Sequence, residues 1–399
     1  MAERSGSKRT LACILVGLGT LLLVAAILIP TYTVSRLAKT PLDLEVTTVA
    51  PAKPGAEVLD ARSLTSPTGS AVVDKNVPIV SQRFVTVEDP SDSKKMTLQM
   101  GQTLRRTDKQ GDTGLLSAIV DRVTIDRKTG QPVDDPIGSI QVSSDKPGEE
   151  VSHTGVSYRF PFDTEKKTYD FFDINARQSF PIDFVDEQEI NGTKVYHFHH
   201  KTPVVDLSKV VNLPTNKLSL PAEKWGVPGG AEPVTMTRWY QNERDYYIEP
   251  ETGVVVRGRE QIHQYYARSA DKPEVNVLKA DLDTDQNTID FQLKQAKDGI
   301  DKLSLYGRVV PIILGILGAL SLLAGLFLGF LGRGRKAATA GGYGSLPPDS
   351  GTARVSDTPG GRDWTTDNTE TIDTNKVSGR DWTTDKTEEF PRVRPEDKQ

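Results

Sequence analysis

The chain has 399 residues, with 49 Lys plus Arg against 54 Asp plus Glu and a formal net charge of −5. So mild an acidity is no footprint for nucleic acid. The only cysteine is Cys13, which excludes an internal disulfide, so a large domain must be held by its own core.

Taken in chain order, residues 1–10 read as a short cytoplasmic N-terminus, and residues 11–35 carry no charge. At about 1.5 Å of rise per residue, roughly 20 helical residues cross a hydrocarbon layer about 30 Å thick, so "LACILVGLGTLLLVAAILIP" predicts a spanning helix. The run is too long for a signal peptide, and no small-x-small cleavage site follows it. Cys13 begins the run, whereas a lipidated cysteine would follow it. A second uncharged stretch, "VVPIILGILGALSLLAGLFLGFLG" at 309–332, meets the same length test. Arg4, Lys8 and Arg9 precede the first span, while Arg333, Arg335 and Lys336 follow the second. Positive charge is retained in the cytoplasm, which places both termini inside and residues 36–308 outside. Within the second span Gly325 and Gly329 form a G-x-x-x-G of the kind that lets helices approach closely.

Between the spans, residues 36–75 are rich in Ala, Pro, Ser and Thr and predict an extended stalk. A β-rich domain is expected over 76–283. "QRFVTVED", "LLSAIVDRVTID", "TKVYHFHHKT", "VTMTRWYQ" and "VVVRGREQIHQYY" are β-branched and aromatic, mostly in alternation. "IDRKTGQPV" (125–133) and "IEPETGVVV" (248–256) share an acidic residue followed by x-x-Thr-Gly, whose Gly suits the positive φ of a tight turn. The shared pattern fits either two duplicated halves or one common turn used twice. The Pro- and Gly-rich stretch 212–233 reads as a long loop with Trp225 at its tip. There Trp225 would cover a cavity, touch the membrane surface or pack back onto the sheet. From 284 to 308 the period changes: Ile289, Leu293, Ala296, Ile300 and Leu303 make one apolar stripe of an amphipathic helix. This stem runs directly into the second span, and Pro311 can kink the junction. The fold class is therefore α+β: a mainly antiparallel β extracytoplasmic domain with a juxtamembrane helix, flanked by two transmembrane helices.

Catalytic signals are weak. On a strand His197 and His199 share a face and His200 points away, but no third ligand completes a metal motif. Nucleophile elbow, P-loop, zinc-protease and dinucleotide fingerprints are absent. The acids of 162–189 could pair, as acids in polar loops often do. A non-enzyme without metal or cofactor is expected.

The run "VSYRFPFDTEKKTYDFFDINARQSFPIDFVDEQEINGTKVYHF" (156–198) and "YYIEPETGVVVRG" (246–258) resemble the signature of an actinobacterial envelope family, known as porin PorA-like or as a domain of unknown function. The two flanking spans extend the resemblance to about residues 10–335. It implies residence in a mycolate-bearing envelope, in the plasma membrane with the main domain outside. For some members it also implies a part in polar growth, lipoglycan maturation or delivery of trehalose mycolates. The expectation is a protein that binds or helps traffic an envelope lipid or glycolipid beside a lipid exporter. Tyr158, Phe160, Phe162, Tyr169, Phe171 and Phe172, with Trp225, are the candidate lining of an apolar groove; the alternative is ordinary sheet core. One functional alternative is a scaffold that binds no lipid and joins envelope assembly proteins to a cytoplasmic partner. A second is a porin. Charges at alternate strand positions argue against a lipid-embedded barrel and for a soluble domain on helical anchors.

The tail, 333–399, is too polar and Gly/Pro-rich to bury a core and reads as disordered. It repeats "GRDWTTD" at 361–367 and 379–385. Trp364 and Trp382 are candidate anchors for a cytoplasmic partner, and Thr365, Thr366, Thr383 and Thr384 are candidate phosphate acceptors. A tandem duplication without function would leave the same pattern.

Overall fold

The computed structural model describes residues 3–331. The strands are β1 (Glu45–Pro51), β2 (Glu57–Asp60), β3 (Val72–Lys75), β4 (Ile79–Glu88), β5 (Lys95–Arg106), β6 (Leu115–Asp126), β7 (Ser139–Gln141) and β8 (Glu149–Glu150). They continue with β9 (Tyr169–Asp173), β10 (Gln178–Ile190), β11 (Thr193–Asp206), β12 (Lys217–Pro221), β13 (Pro233–Glu249), β14 (Val254–Ala267) and β15 (Val275–Asp283). A six-stranded sheet has the order β1-β4-β5-β6-β7-β8. A nine-stranded sheet has the order β3-β2-β15-β14-β13-β11-β10-β9, with β12 also on β13. The pairings between strands are antiparallel, as the alternating sequence predicts.

The two sheets share a core. Ile79 and Leu104 of the first pack with Val58, Tyr240, Leu278 and Leu282 of the second. A bridge from Ala52, directly after β1, to Leu282 of β15 also joins the sheets at one margin. The result is a two-sheet sandwich with side chains of both sheets in one core.

The predicted turns form as expected. Gly130 and Gly253 have φ of +67° and +71°. The Asp126 carboxylate accepts from the backbone N–H of Lys128 and Thr129, and Glu249 accepts from those of Glu251 and Thr252.

Two expectations need correction. Residues 36–75 are not a stalk: β1 is the margin of the first sheet, and β2 and β3 belong to the second. Their Ala, Pro and Thr content hid short strands whose partners lie far away in sequence, as in Val58 opposite Leu278. Likewise 212–233 is not a bare loop: it holds β12 and the short helix Ala222–Trp225, closed by Gly226 at φ +76°.

A helix spans Glu3–Leu28 and continues through a wide turn at Ile29–Thr33, where Pro30 withholds its N–H. The stem helix, Gln286–Ser304, is capped by Asp285, whose side chain accepts from Thr288 N. It buries Ile289, Leu293 and Ala296 on the expected stripe, against Val195 and Val256. A second wide turn, Leu305–Val309, leads into the helix Val310–Leu331. Pro311 would clash with the carbonyl four residues back, and the widened turn takes up the strain. Both long apolar helices leave most of their surface uncovered, unlike the core helix of a soluble protein.

Candidate functional site

Three features are built from residues that the sequence singles out. The first is the spanning-helix pair. Its antiparallel contact is set by small residues seven apart on each side: Ala12 and Gly19 meet Gly325 and Gly318. A Cβ on Gly19 would lie 2.6 Å from Leu322 N, and one on Gly325 would lie 2.8 Å from Val16 N, so the backbones touch. Ser321 Oγ donates to Leu15 O at 2.8 Å across the interface. Of the G-x-x-x-G pair, Gly325 makes the close helix contact, against the first span, while a Cβ on Gly329 would meet nothing within 4 Å.

The second feature is the segment Tyr158–Thr164, which bridges the two sheets. Phe160 N donates to Gly253 O and Thr164 N to Pro250 O in the β13–β14 turn, while Phe162 N donates to Lys128 O in the turn after β6. Both turn glycines face this segment: added Cβ atoms would lie 2.6 Å from Arg159 O at Gly130 and 2.1 Å from Phe160 O at Gly253. The motif that carries the family resemblance is therefore a clamp between sheets.

The third feature is a chain of charges within the sandwich. Arg244 donates to the buried Asp173 at 2.8 Å and lies 3.7 Å from Glu260, which pairs with Arg83. Thr202 and Tyr240 also donate to Asp173. Burial alone would raise the Asp173 and Glu260 carboxyls, but Arg244 holds Asp173 below its usual range, and Arg83 and Arg244 hold Glu260 at about 2. His200 touches Thr202 at 3.0 Å and Pro181 O at 2.9 Å, and burial followed by Arg244 lowers its pKa to about 4. Elsewhere His197 and His199 converge on Asp245 Oδ1 at 2.9 and 3.0 Å, on the face opposite His200. No cluster of His, Cys, Asp and Glu suited to a metal occurs among the described residues.

The candidate groove aromatics are mostly core. Phe160, Tyr169 and Phe171 pack with Phe198, Tyr246 and Ile248. Phe172 lies against His153 at 4.2 Å between ring centroids, and Phe162 carries the Arg159 guanidinium 4.8 Å above its ring. Trp225 is 3 % exposed, packs against the Tyr266 ring at a tilt and donates Nε1–H to Val234 O. Of the three readings offered by the sequence, it packs back onto the sheet. Tyr158 lines a cavity of about 130 Å³ between the sheets and the stem helix. Sequence reasoning missed its neighbours Ser157 and Arg159; the polar letters interleaved with the aromatics of "VSYRFPF" were the signal. Trp364, Thr365, Thr366, Trp382, Thr383 and Thr384 lie outside the described residues.

A family model described as porin PorA matches residues 11–327. A protein named porin PorA from Corynebacterium amycolatum is 32 % identical over 379 residues, covering 80 % of this chain and 98 % of its own length. Another of that name from Corynebacterium resistens is 32 % identical over 398 residues, covering 80 % and 96 %. The similarity spans both membrane helices and the whole sandwich. These findings overturn the expected role in envelope lipid binding or traffic. The relatives are named as porins, and the aromatics meant for acyl chains hold the core together.

Proposed function

The chain belongs to the porin PorA family, and on that premise we propose that it is a porin-type membrane protein whose conducting path lies between copies of the chain. The family match across both apolar helices carries this reading. The strands do not suit a lipid-embedded wall: β10 exposes Asp183, Asp186, Glu187 and Glu189, where such a wall needs an apolar belt. Two helices in direct backbone contact enclose no lumen, so a water-filled path needs several pairs. Thr20 and Ser321 give their hydroxyl protons to backbone carbonyls, at 2.9 and 2.8 Å. The exposed faces, with Leu21, Ile27, Ile316, Leu323 and Phe327, are apolar, which suits a constriction that opens and closes by wetting. The charge flanks support an orientation with both termini inside and the sandwich outside.

The test is conductance of the purified full-length chain in a planar bilayer. Discrete current steps should appear, with a frequency that rises faster than linearly with protein concentration. A bilayer that stays silent with correctly folded, inserted protein overturns the porin reading. Steps whose frequency is strictly first order would overturn the multi-copy path.

A further inference from the structure

The cavity behind Tyr158 has an unusual charge balance. Its lining contains three arginines, Arg83, Arg159 and Arg257, and no carboxylate. Arg83 pairs with Glu260, and Arg257 holds Asp283 through two bonds of 2.9 and 2.6 Å. Arg159 has no ion pair among the described residues. One Nη donates to Thr252 O at 2.6 Å, and its guanidinium rests on the Phe162 ring. Its Nε is buried without a hydrogen-bond partner, and so is Ser157 Oγ two residues away. Glu249, the acid it senses electrostatically, is engaged by the donors of its own turn. Burial, the larger influence, lowers the Arg159 pKa to about 10, which still leaves a full positive charge at neutral pH. Leaving two buried polar groups unpaired costs free energy that an acceptor would recover.

Val46, Val85, Leu98, Val254 and Val256 give the wall an apolar part, beside neutral polar groups that include Thr284, Thr288 and Gln292. Half-exposed Thr48 and Gln295 also line it, so solvent reaches the cavity. Its volume of about 130 Å³ is close to that of an apolar cavity of roughly 150 Å³ that holds benzene. We propose that this cavity is a binding site for a small organic carboxylate, with the carboxylate on Arg159 and Ser157 and a compact apolar body of about benzene size among the valines.

The site is independent of conduction, so its test reads binding alone. Benzoate is the probe, titrated by calorimetry into the full-length chain in detergent, with benzyl alcohol and inorganic phosphate as controls. One site per chain should appear, with benzyl alcohol and phosphate each at least about tenfold weaker, because each lacks one of the two recognised parts. Arg159→Gln should weaken benzoate by about tenfold or more, and Ser157→Ala by several-fold. Val85→Phe fills the cavity without touching the cation and should abolish binding while the melting temperature stays within a few degrees. Absence of benzoate binding overturns the proposal. Equal binding by a folded Arg159→Gln chain, or by Val85→Phe, overturns it as well. Benzyl alcohol matching benzoate would show an apolar cavity only, and phosphate matching it a bare anion site; either result rejects the carboxylate assignment.

Discussion

Arg244 sits between Asp173 and Glu260 where water cannot replace it, so removing it leaves two acids buried with one fewer cation. Breaking a buried pair in this way typically costs about 3–5 kcal/mol. Arg244→Met should therefore lower the stability of the full chain by that order, read from thermal unfolding followed by tryptophan fluorescence. A loss under about 1 kcal/mol would mean that the network is dispensable. His200 supplies a second test. Its folded pKa of about 4 lies below the 6.5 of the unfolded chain. Between those values the unfolded chain binds a proton that the folded chain does not, so stability falls as pH falls from 6.5 toward 4. The fall between pH 7 and 5 should be about 2 kcal/mol, and His200→Gln should flatten it. A pH profile unchanged by that substitution would place the titration elsewhere.

Turns and helix contacts separate strain from crowding. Gly192 and Gly253 both have positive φ, at +76° and +71°. A Cβ at Gly192 meets nothing within 4 Å, whereas one at Gly253 would sit 2.1 Å from Phe160 O. Gly192→Ala should cost about 1–2 kcal/mol, from backbone strain alone. Gly253→Ala should cost clearly more, because the clamp between the sheets must open. Equal melting temperatures for the two variants would contradict the clamp. In the membrane pair, Gly19→Leu forces the helices apart, while Gly17 faces open space. Overpacking of this kind costs about 1–3 kcal/mol, so Gly19→Leu should lower the melting temperature in detergent and Gly17→Leu should leave it nearly unchanged.

At the scale of the whole molecule, a solid sandwich stands on an antiparallel helix pair through the stem helix. The sheets share a packed core and β10 exposes acids rather than an apolar belt, which does not suit a lipid-embedded wall. The proposed conducting path is therefore sought in the helices and their assembly. If both termini lie inside, a cysteine at Ser5 should react with an impermeant thiol reagent only after the membrane is opened, in a chain whose Cys13 is replaced by Ser. A cysteine at Ser143, on the sandwich surface, should react from outside in intact cells. The reverse pattern would invert the topology.

Elements whose causes are local were legible in the chain. The two spans follow from uncharged runs of sufficient length, the stem helix from its 3.6-residue stripe, and the glycine turns from a shared acid-x-x-Thr-Gly pattern whose Gly takes positive φ. β6, Leu115–Asp126, matches its alternating segment at both ends. Other features depend on partners distant in sequence, which no local pattern names. β2 exists because Val58 lies opposite Leu278, and Trp225 is buried because β13 and Tyr266 receive it. The same aromatic letters serve a groove or a core, and only packing decided for the core. Gly325 could have served any helix, and the first span occupies it. Arg159 was visible as a letter, but its lack of an ion pair is a property of three-dimensional space, where Glu249, the acid it senses, is committed to the donors of its own turn.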